Sequence, residues 1–375
     1  MSFSLEEIFK GRIIWDDNTI HLYFFIIVSC YVLGWISQKK IKGFKLYSYS
    51  KSLVFISFLI FSVFLFFRDI GTDLPMYKTI YNNINLGSGF FNSQEPGFML
   101  LNKILSIFYL KDYVAIGILG ILTIFLYYKT ISENSNKICV GIAILAYGCL
   151  FYFQSYSLVR MYLASGILIY ASKYLLLRRF KVYIIIVILT ILIHYSAILA
   201  FIPLVFYLLY LNNKRDFIIS YIIFFVISYF GANYLSSINI FARYDEYLSG
   251  GAMKGGIGLF QIAINIPMIF LYLYSKPIIG ETTILKIFFV YTLSAILIGI
   301  LSYKILMLGR SLVYYNIIYI LCIPYVLKQL KNIKSINYKL WYILFFIYLI
   351  WRFYQYLSEY LLLDGLMPFK FVEIS

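Results

Sequence analysis

The chain is poor in charge: only 13% of its 375 residues are Asp, Glu, Lys or Arg, against 62% that are hydrophobic. That shortage excludes a soluble domain of this size, which needs far more polar surface to face water. Histidine and cysteine are scarcer still, at two and four residues. His21 and His194 are far apart, and Cys30, Cys139, Cys149 and Cys322 sit inside apolar runs with no CxxC pair or Cys/His cluster. A metal site built from these ligands therefore has little support, and the cysteines read as packing residues. A secretory leader is not expected at the start, MSFSLEEIFKGRIIWDDN, which carries Glu6, Glu7, Asp16 and Asp17 and has no basic opening or small-residue cleavage site. The first apolar stretch is thus expected to be retained. No internal repeat relates the two halves.

What the chain has in abundance is apolar length. Windows long enough for a helix to cross a bilayer recur near residues 20–35, 53–67, 113–128, 138–153, 161–177 and 182–194. They continue near 196–211, 217–235, 259–275, 284–301, 312–327 and 340–357. About twelve crossings follow, each needing roughly 20 apolar residues. The expected fold is all-α and polytopic, one integral membrane domain over residues 1–375. The 21% aromatic content is expected to face mostly lipid and its interfaces.

The formal charge of +16 does not point to nucleic acid, because the basic residues lie in short loops between spans. The densest loops hold Lys39, Lys40, Lys42, Lys45 and Lys51; Arg178, Arg179 and Lys181; Lys214 and Arg215; and Lys328, Lys331, Lys334 and Lys339. Alternating crossings bring all of them to one face, which the positive-inside rule makes cytoplasmic. Both termini and a polar island at residues 68–97 then lie outside. Residues 182–211 must hold two crossings between basic loops, which two short helices meeting at a cavity satisfy, with His194 at the break. Residues 98–110 read as an interfacial amphipathic helix with Asn102 and Lys103 on one side, so that 68–112 form an outer-face loop plus helix.

In this orientation Arg68, Arg160, Arg243 and Arg310 depart from the positive-inside trend. Arg160 opens an apolar helix and Arg310 precedes another, where the helix dipole favours anions, so a negative partner is needed. Guanidinium groups are also the preferred forks for phosphate oxygens. Against this stand simpler roles: snorkelling anchors for the arginines, and structural pairing for Asp69, Asp73, Glu95, Asp245 and Glu246. His194 is open to a structural reading as a buried, hydrogen-bonded residue, and Tyr77, Tyr81, Phe90 and Phe91 either stack on sugars or pack the loop.

An ordered set of motifs resembles the EpsG-like family of bacterial polysaccharide proteins, related to Wzy-type O-antigen and capsule polymerases. It begins with Arg68, Gly71, Thr72, Asp73 and Tyr77, then Glu95, Pro96 and Gly97. Arg160 with Leu163 and Ala164 follows, then His194, Tyr195, Ser196 and Ala197 with Pro203. Arg310 with Tyr314, Tyr315 and Pro324 comes next, and Pro368 with Phe369 closes the set. Met161 and Phe369 depart from the family pattern, which has Gln and Tyr there. The resemblance implies a GT-C-like glycosyltransferase that needs no metal, nucleotide sugar or cofactor and polymerises undecaprenyl-pyrophosphate-linked oligosaccharide repeat units at the outer face of the cytoplasmic membrane. A chain-length regulator protein is an expected partner, beside membrane lipid.

That chemistry needs preorganised positive charge where a lipid phosphate departs. Arg160 and Arg310, then Arg68 and Arg243, are the candidates. It also needs a base for the acceptor hydroxyl, for which Glu95, Asp73 and His194 rank in that order. Tyr77, Tyr314 and Tyr315 are the candidate sugar-binding residues. Two other classes compete. A flippase would show internal repetition and mid-membrane charge. A glycan acyltransferase would place a carboxylate beside a histidine, and His194 has no such neighbour in sequence.

Overall fold

The computed structural model describes residues 16–39, 50–86, 95–235, 257–302, 307–334, 337–359 and 364–373. Every apolar window of the sequence falls on helix. Among the described residues seven helices are long and apolar enough to cross a membrane, and the stretches Lys51–Phe66, Val140–Tyr156 and Phe180–Ile193 are shorter apolar ones. The chain is an integral membrane protein. Its outward faces repeat apolar residues at helical spacing: Phe25, Val28, Val32 and Trp35 on the first helix, and Ile343, Leu344, Ile347 and Trp351 on the last, are all exposed. Water would make such stripes costly, whereas lipid does not.

Two compact units divide the chain, the first comprising residues 1–170, 192–194 and 323–375 and the second 171–191 and 195–322. In the first, α1 (Asp17–Ile36) is capped by Asp16, whose carboxylate accepts from Asn18 N at 3.3 Å and Thr19 N at 3.2 Å. It packs on α2 (Lys51–Phe66) and on α6 (Val140–Tyr147). Between these come α3 (Leu74–Asn85), α4 (Pro96–Ser106) and α5 (Asp112–Glu133). Proline in the first turn of α3 and of α4 fits where no amide donor is required. After α6 the chain widens through a π-helical turn, Gly148–Tyr152, and then tightens through a 3-10 turn, Phe153–Tyr156. It then enters α7 (Val159–Leu176).

Helix α4 is amphipathic, as the sequence indicates, but Asn102 and Lys103 do not share a side. Asn102 is 1% exposed and donates to Phe98 O at 2.9 Å, while Lys103 is exposed. Helix α8 (Phe180–Ile193) has 14 residues, about 21 Å of rise against roughly 30 Å of hydrocarbon. The helix stops at His194, and a 3-10 segment, Tyr195–Ala200, leads into α9 (Phe201–Asn212). The break predicted from residues 182–211 therefore falls at His194.

In the second unit, α9 packs on α10 (Lys214–Leu235) and α12 (Thr283–Ser302), and α11 (Ile257–Ile279) pairs with α12. The short helices α13 (Met307–Ser311) and α14 (Val313–Asn316) lead into α15 (Tyr319–Asn332). Helix α16 (Tyr338–Glu359) returns to the first unit against the π-helical turn.

The aromatic residues depart from expectation. The largest fully buried side chains include Tyr23, Tyr81, Tyr127, Tyr147, Tyr152 and Tyr156, and, in the second unit, Tyr183, Tyr207, Tyr314, Tyr315 and Tyr319. Lipid gives helices no hydrophobic drive to associate, so dispersion and hydrogen bonds hold them together, and tyrosine supplies both. Tyr152 Oη donates to Phe61 O at 2.7 Å, Tyr127 pairs with Ser165 Oγ at 2.6 Å and Tyr183 with Tyr291 at 3.0 Å.

Candidate active site

Three segments of the first unit converge on one carboxylate. Glu95 stands at the N-cap of α4 in extended conformation and makes no capping bond to that helix. Its Oε2 instead accepts from Arg160 Nη1 at 2.5 Å, and its Oε1 lies 2.9 Å from His194 Nδ1. Arg160 is in the first turn of α7 and His194 is the residue after α8. What lets the segments meet is Gly97. A Cβ there would lie 2.9 Å from both Leu192 C and Leu192 O, so only a glycine allows α4 to seat against the end of α8.

The carboxylate is buried, while Arg160 and His194 are partly exposed. Glu95 is 6% exposed. The Arg160 guanidinium carbon lies 5.4 Å from the Tyr77 ring centroid and 5.6 Å from that of Phe98, two rings that also meet edge to face. Leu74, Ile116, Leu119, Val159 and Leu163 fill the space behind them. Burial by itself would push the Glu95 carboxyl up, but the His194 hydrogen bond and the Arg160 charge outweigh it and bring it down to about 2. An ionised carboxylate only accepts hydrogen bonds, so His194 Nδ1 carries a proton and, in the neutral ring, Nε2 is the basic nitrogen. The anion that Arg160 requires is thus Glu95, 65 residues away in sequence.

The other sequence candidates occupy different places. Arg68 is 3% exposed, and its Nε and Nη2 donate to Tyr156 O at 3.2 and 3.1 Å and its Nη1 to Leu65 O at 2.5 Å. Those donors peg the 3-10 turn to the end of α2. Tyr77, Tyr314 and Tyr315 are at most 3% exposed. Their rings pack inside the fold. Tyr77 supports Arg160; Tyr314 pairs with Ser196 Oγ at 2.9 Å and Tyr315 donates to Leu199 O at 3.0 Å. Asp73 is at the N-cap position of α3 without a side-chain capping bond, and its amide lies 3.4 Å from Ser157 Oγ. Arg310 is exposed on α13 in the second unit. Arg243, Asp245, Glu246, Phe90 and Phe91 lie outside the described residues.

Sequence reasoning missed Ser157 and gave no structural role to Gly71 or to the C-terminal segment. Ser157 bonds Thr72 Oγ1 at 2.7 Å and holds the turn before α3. Gly71, at φ +124°, lets that turn approach Tyr156 O, which a Cβ would meet at 2.8 Å. The C-terminal segment laces onto the same turn: Asp69 N donates to Lys370 O at 2.9 Å, Gly71 N to Gly365 O at 3.1 Å and Thr72 N to Asp364 O at 2.9 Å. Pro368 and Phe369 sit in that segment, and Phe369 N donates to Thr19 Oγ1 at 2.8 Å.

The apolar helices define an integral membrane protein, and its first unit holds a buried carboxylate between a guanidinium and an imidazole. The chain matches the EpsG family over residues 51–371 and belongs to it. The family places it among membrane proteins of the polysaccharide-polymerase type, glycosyltransferase-like in general character. No curated protein and no solved structure matches the chain.

Proposed function

We propose that the chain polymerises a bacterial surface glycan of the O-antigen, capsule or exopolysaccharide kind. It would move the growing chain from undecaprenyl pyrophosphate onto a sugar hydroxyl of a new lipid-linked repeat unit, at the outer face of the cytoplasmic membrane. The observation that carries this reading is the Glu95 carboxylate bound by Arg160 on one oxygen and His194 on the other, within a member of the EpsG family.

In the proposed transfer the acceptor hydroxyl gives its proton to His194 Nε2 and its oxygen bonds to the anomeric carbon. The bond from that carbon to the phosphate oxygen breaks, and its electron pair leaves with the lipid pyrophosphate, which gains one negative charge. Glu95 orients the imidazole and offsets the imidazolium that forms. Its own carboxyl, held at about 2, is a weak base for a hydroxyl, so in this reading His194 moves ahead of Glu95 and Asp73 as proton acceptor. Arg160 carries five N–H donors in a planar fork, and the growing charge on the pyrophosphate draws it partly away from Glu95 as that charge develops. A pyrophosphate role for Arg310 rests on the sequence pattern, as does a partnership with a chain-length regulator. The plan is GT-C-like and draws its positive charge from arginine.

A second reading has one observation in its favour. An acyltransferase would use a histidine beside a carboxylate, and the 2.9 Å contact of His194 with Glu95 supplies the neighbour that sequence spacing lacks. Deleting the gene and running the surface glycan on a gel separates the readings. A single capped repeat on the lipid core supports polymerisation, full-length glycan lacking acyl groups supports decoration, and loss of all repeats points to flipping.

A further inference from the structure

Apart from the Glu95 cluster, the first unit holds an open cleft of about 430 Å³, a size common for small-ligand sites. One wall is the turn into α3, with Asp69, Leu74 and Lys78, and the other is the C-terminal segment, with Met367, Pro368 and Lys370. The walls are built, not merely adjacent. Besides the backbone bonds between them, Tyr356 Oη donates to Asp364 Oδ2 at 2.7 Å and Tyr23 Oη to Leu366 O at 2.6 Å, which tie the C-terminal wall to α16 and α1.

The charges in the cleft do not balance. Lys78 Nζ sits 2.6 Å from Asp69 Oδ1, whereas Lys370 is exposed and has no carboxylate partner among the described residues. Two lysines against one aspartate leave a net charge of +1 in the cleft. Helix α3 links this cleft to the Glu95 cluster. Leu74 lines the cleft, and Tyr77, one turn further on, lies under the Arg160 guanidinium. Three residues of helix amount to about 4.5 Å, so a glycan with one sugar at the cluster has a neighbouring sugar within reach of the cleft.

We infer that the cleft is a saccharide subsite for an acidic sugar unit of the glycan. The acid group of the sugar engages Lys370, its hydroxyls bond to Asp69, and its apolar ring face rests on the exposed Pro75 and Pro368. The assignment of the ligand as glycan rests on the polymerase reading. The charge pattern and the walls of the cleft set the preference for acid.

The test uses the purified full chain in nanodiscs of neutral lipid and two probes, tetragalacturonate and the uncharged maltotetraose. Tetragalacturonate is expected to bind more tightly than maltotetraose and to weaken with added salt. Lys370→Glu, an exposed substitution whose folding is checked by its melting temperature, is expected to weaken tetragalacturonate on the order of tenfold. His194→Ala leaves this binding unchanged. Equal binding of the two probes, or unchanged binding in Lys370→Glu, overturns the subsite. So does displacement of tetragalacturonate by short-chain phosphatidylglycerol, which marks a lipid headgroup site instead. The assay needs neither lipid carrier nor turnover. If His194→Ala polymerises normally while tetragalacturonate binds as expected, the polymerase chemistry fails and the subsite stands. If His194→Ala abolishes polymer while Lys370→Glu binds normally, the reverse holds.

Discussion

Replacing Glu95 with Gln changes almost no volume but reverses the logic of the site. The carboxylate accepts from Arg160 Nη1 at 2.5 Å and meets His194 Nδ1 at 2.9 Å. An amide has one acceptor and one donor end. The guanidinium, always a donor, claims the oxygen, and the NH₂ then faces His194. That forces Nδ1 to accept, moves the ring proton to Nε2, and removes the lone pair that takes the acceptor's proton. A wrong tautomer of this kind costs about 10⁴-fold in the Ser-His-Asp triad, so a loss on the order of 10³ to 10⁴-fold is expected here. Stability should fall less, by about 1–3 kcal/mol, because one hydrogen bond to Arg160 survives. The assay is release of lipid pyrophosphate from lipid-linked repeat units by purified enzyme, beside a thermal melt. A Glu95→Gln enzyme that keeps the wild-type rate refutes the tautomer argument and leaves Glu95 as a structural counterion for Arg160.

Three other perturbations probe the same architecture. Gly97→Ala drives a methyl to 2.9 Å from Leu192 C and O; separating α4 from α8 should cost about 1–3 kcal/mol and lower turnover by stretching the Glu95 to His194 contact, as a melt and a rate will show. Arg68→Met strands the carbonyls of Tyr156 and Leu65 and should lower stability by about 1–3 kcal/mol for each acceptor that water does not reach. Unchanged stability with weakened donor binding would favour a phosphate role for Arg68. The Glu95 carboxyl titrates near about 2 in the folded protein, below its ordinary 4.5, so its contribution to stability is complete above 4.5 and is lost as pH falls toward about 2. Glu281, brought down to about 2 by Lys214 and Lys276, titrates in the same window. Only the part of the acid-induced fall that disappears in Glu95→Gln belongs to the site.

The spans were legible because their signal is local: apolar length and basic loops reveal a membrane helix without any knowledge of its neighbours. The break at His194 was legible for the same reason, since two crossings do not fit comfortably between residues 182 and 211. Arg160 at a helix start announced the need for an anion, yet nothing in the spacing of Glu95 and His194, 99 residues apart, indicates that they meet. That contact depends on a glycine passing close to the Leu192 backbone, a tertiary event that composition does not encode. The burial of Tyr77, Tyr314 and Tyr315 was not legible, because an aromatic residue in a motif reads alike whether it stacks on a sugar or fills a core. Burial decides, and burial belongs to the folded chain. The carbonyl partners of Arg68 were not legible either, since they are backbone atoms with no residue signature.

Proteoliposomes containing only this chain, supplied with undecaprenyl-pyrophosphate-linked repeat units, put the proposal to proof. The wild-type chain should build a ladder of glycan lengths and release one lipid pyrophosphate for each bond formed. His194→Ala, folded and binding donor as before, should do neither. A wild-type ladder that persists at full rate in His194→Ala would contradict the assignment of proton transfer to the Glu95 and His194 pair.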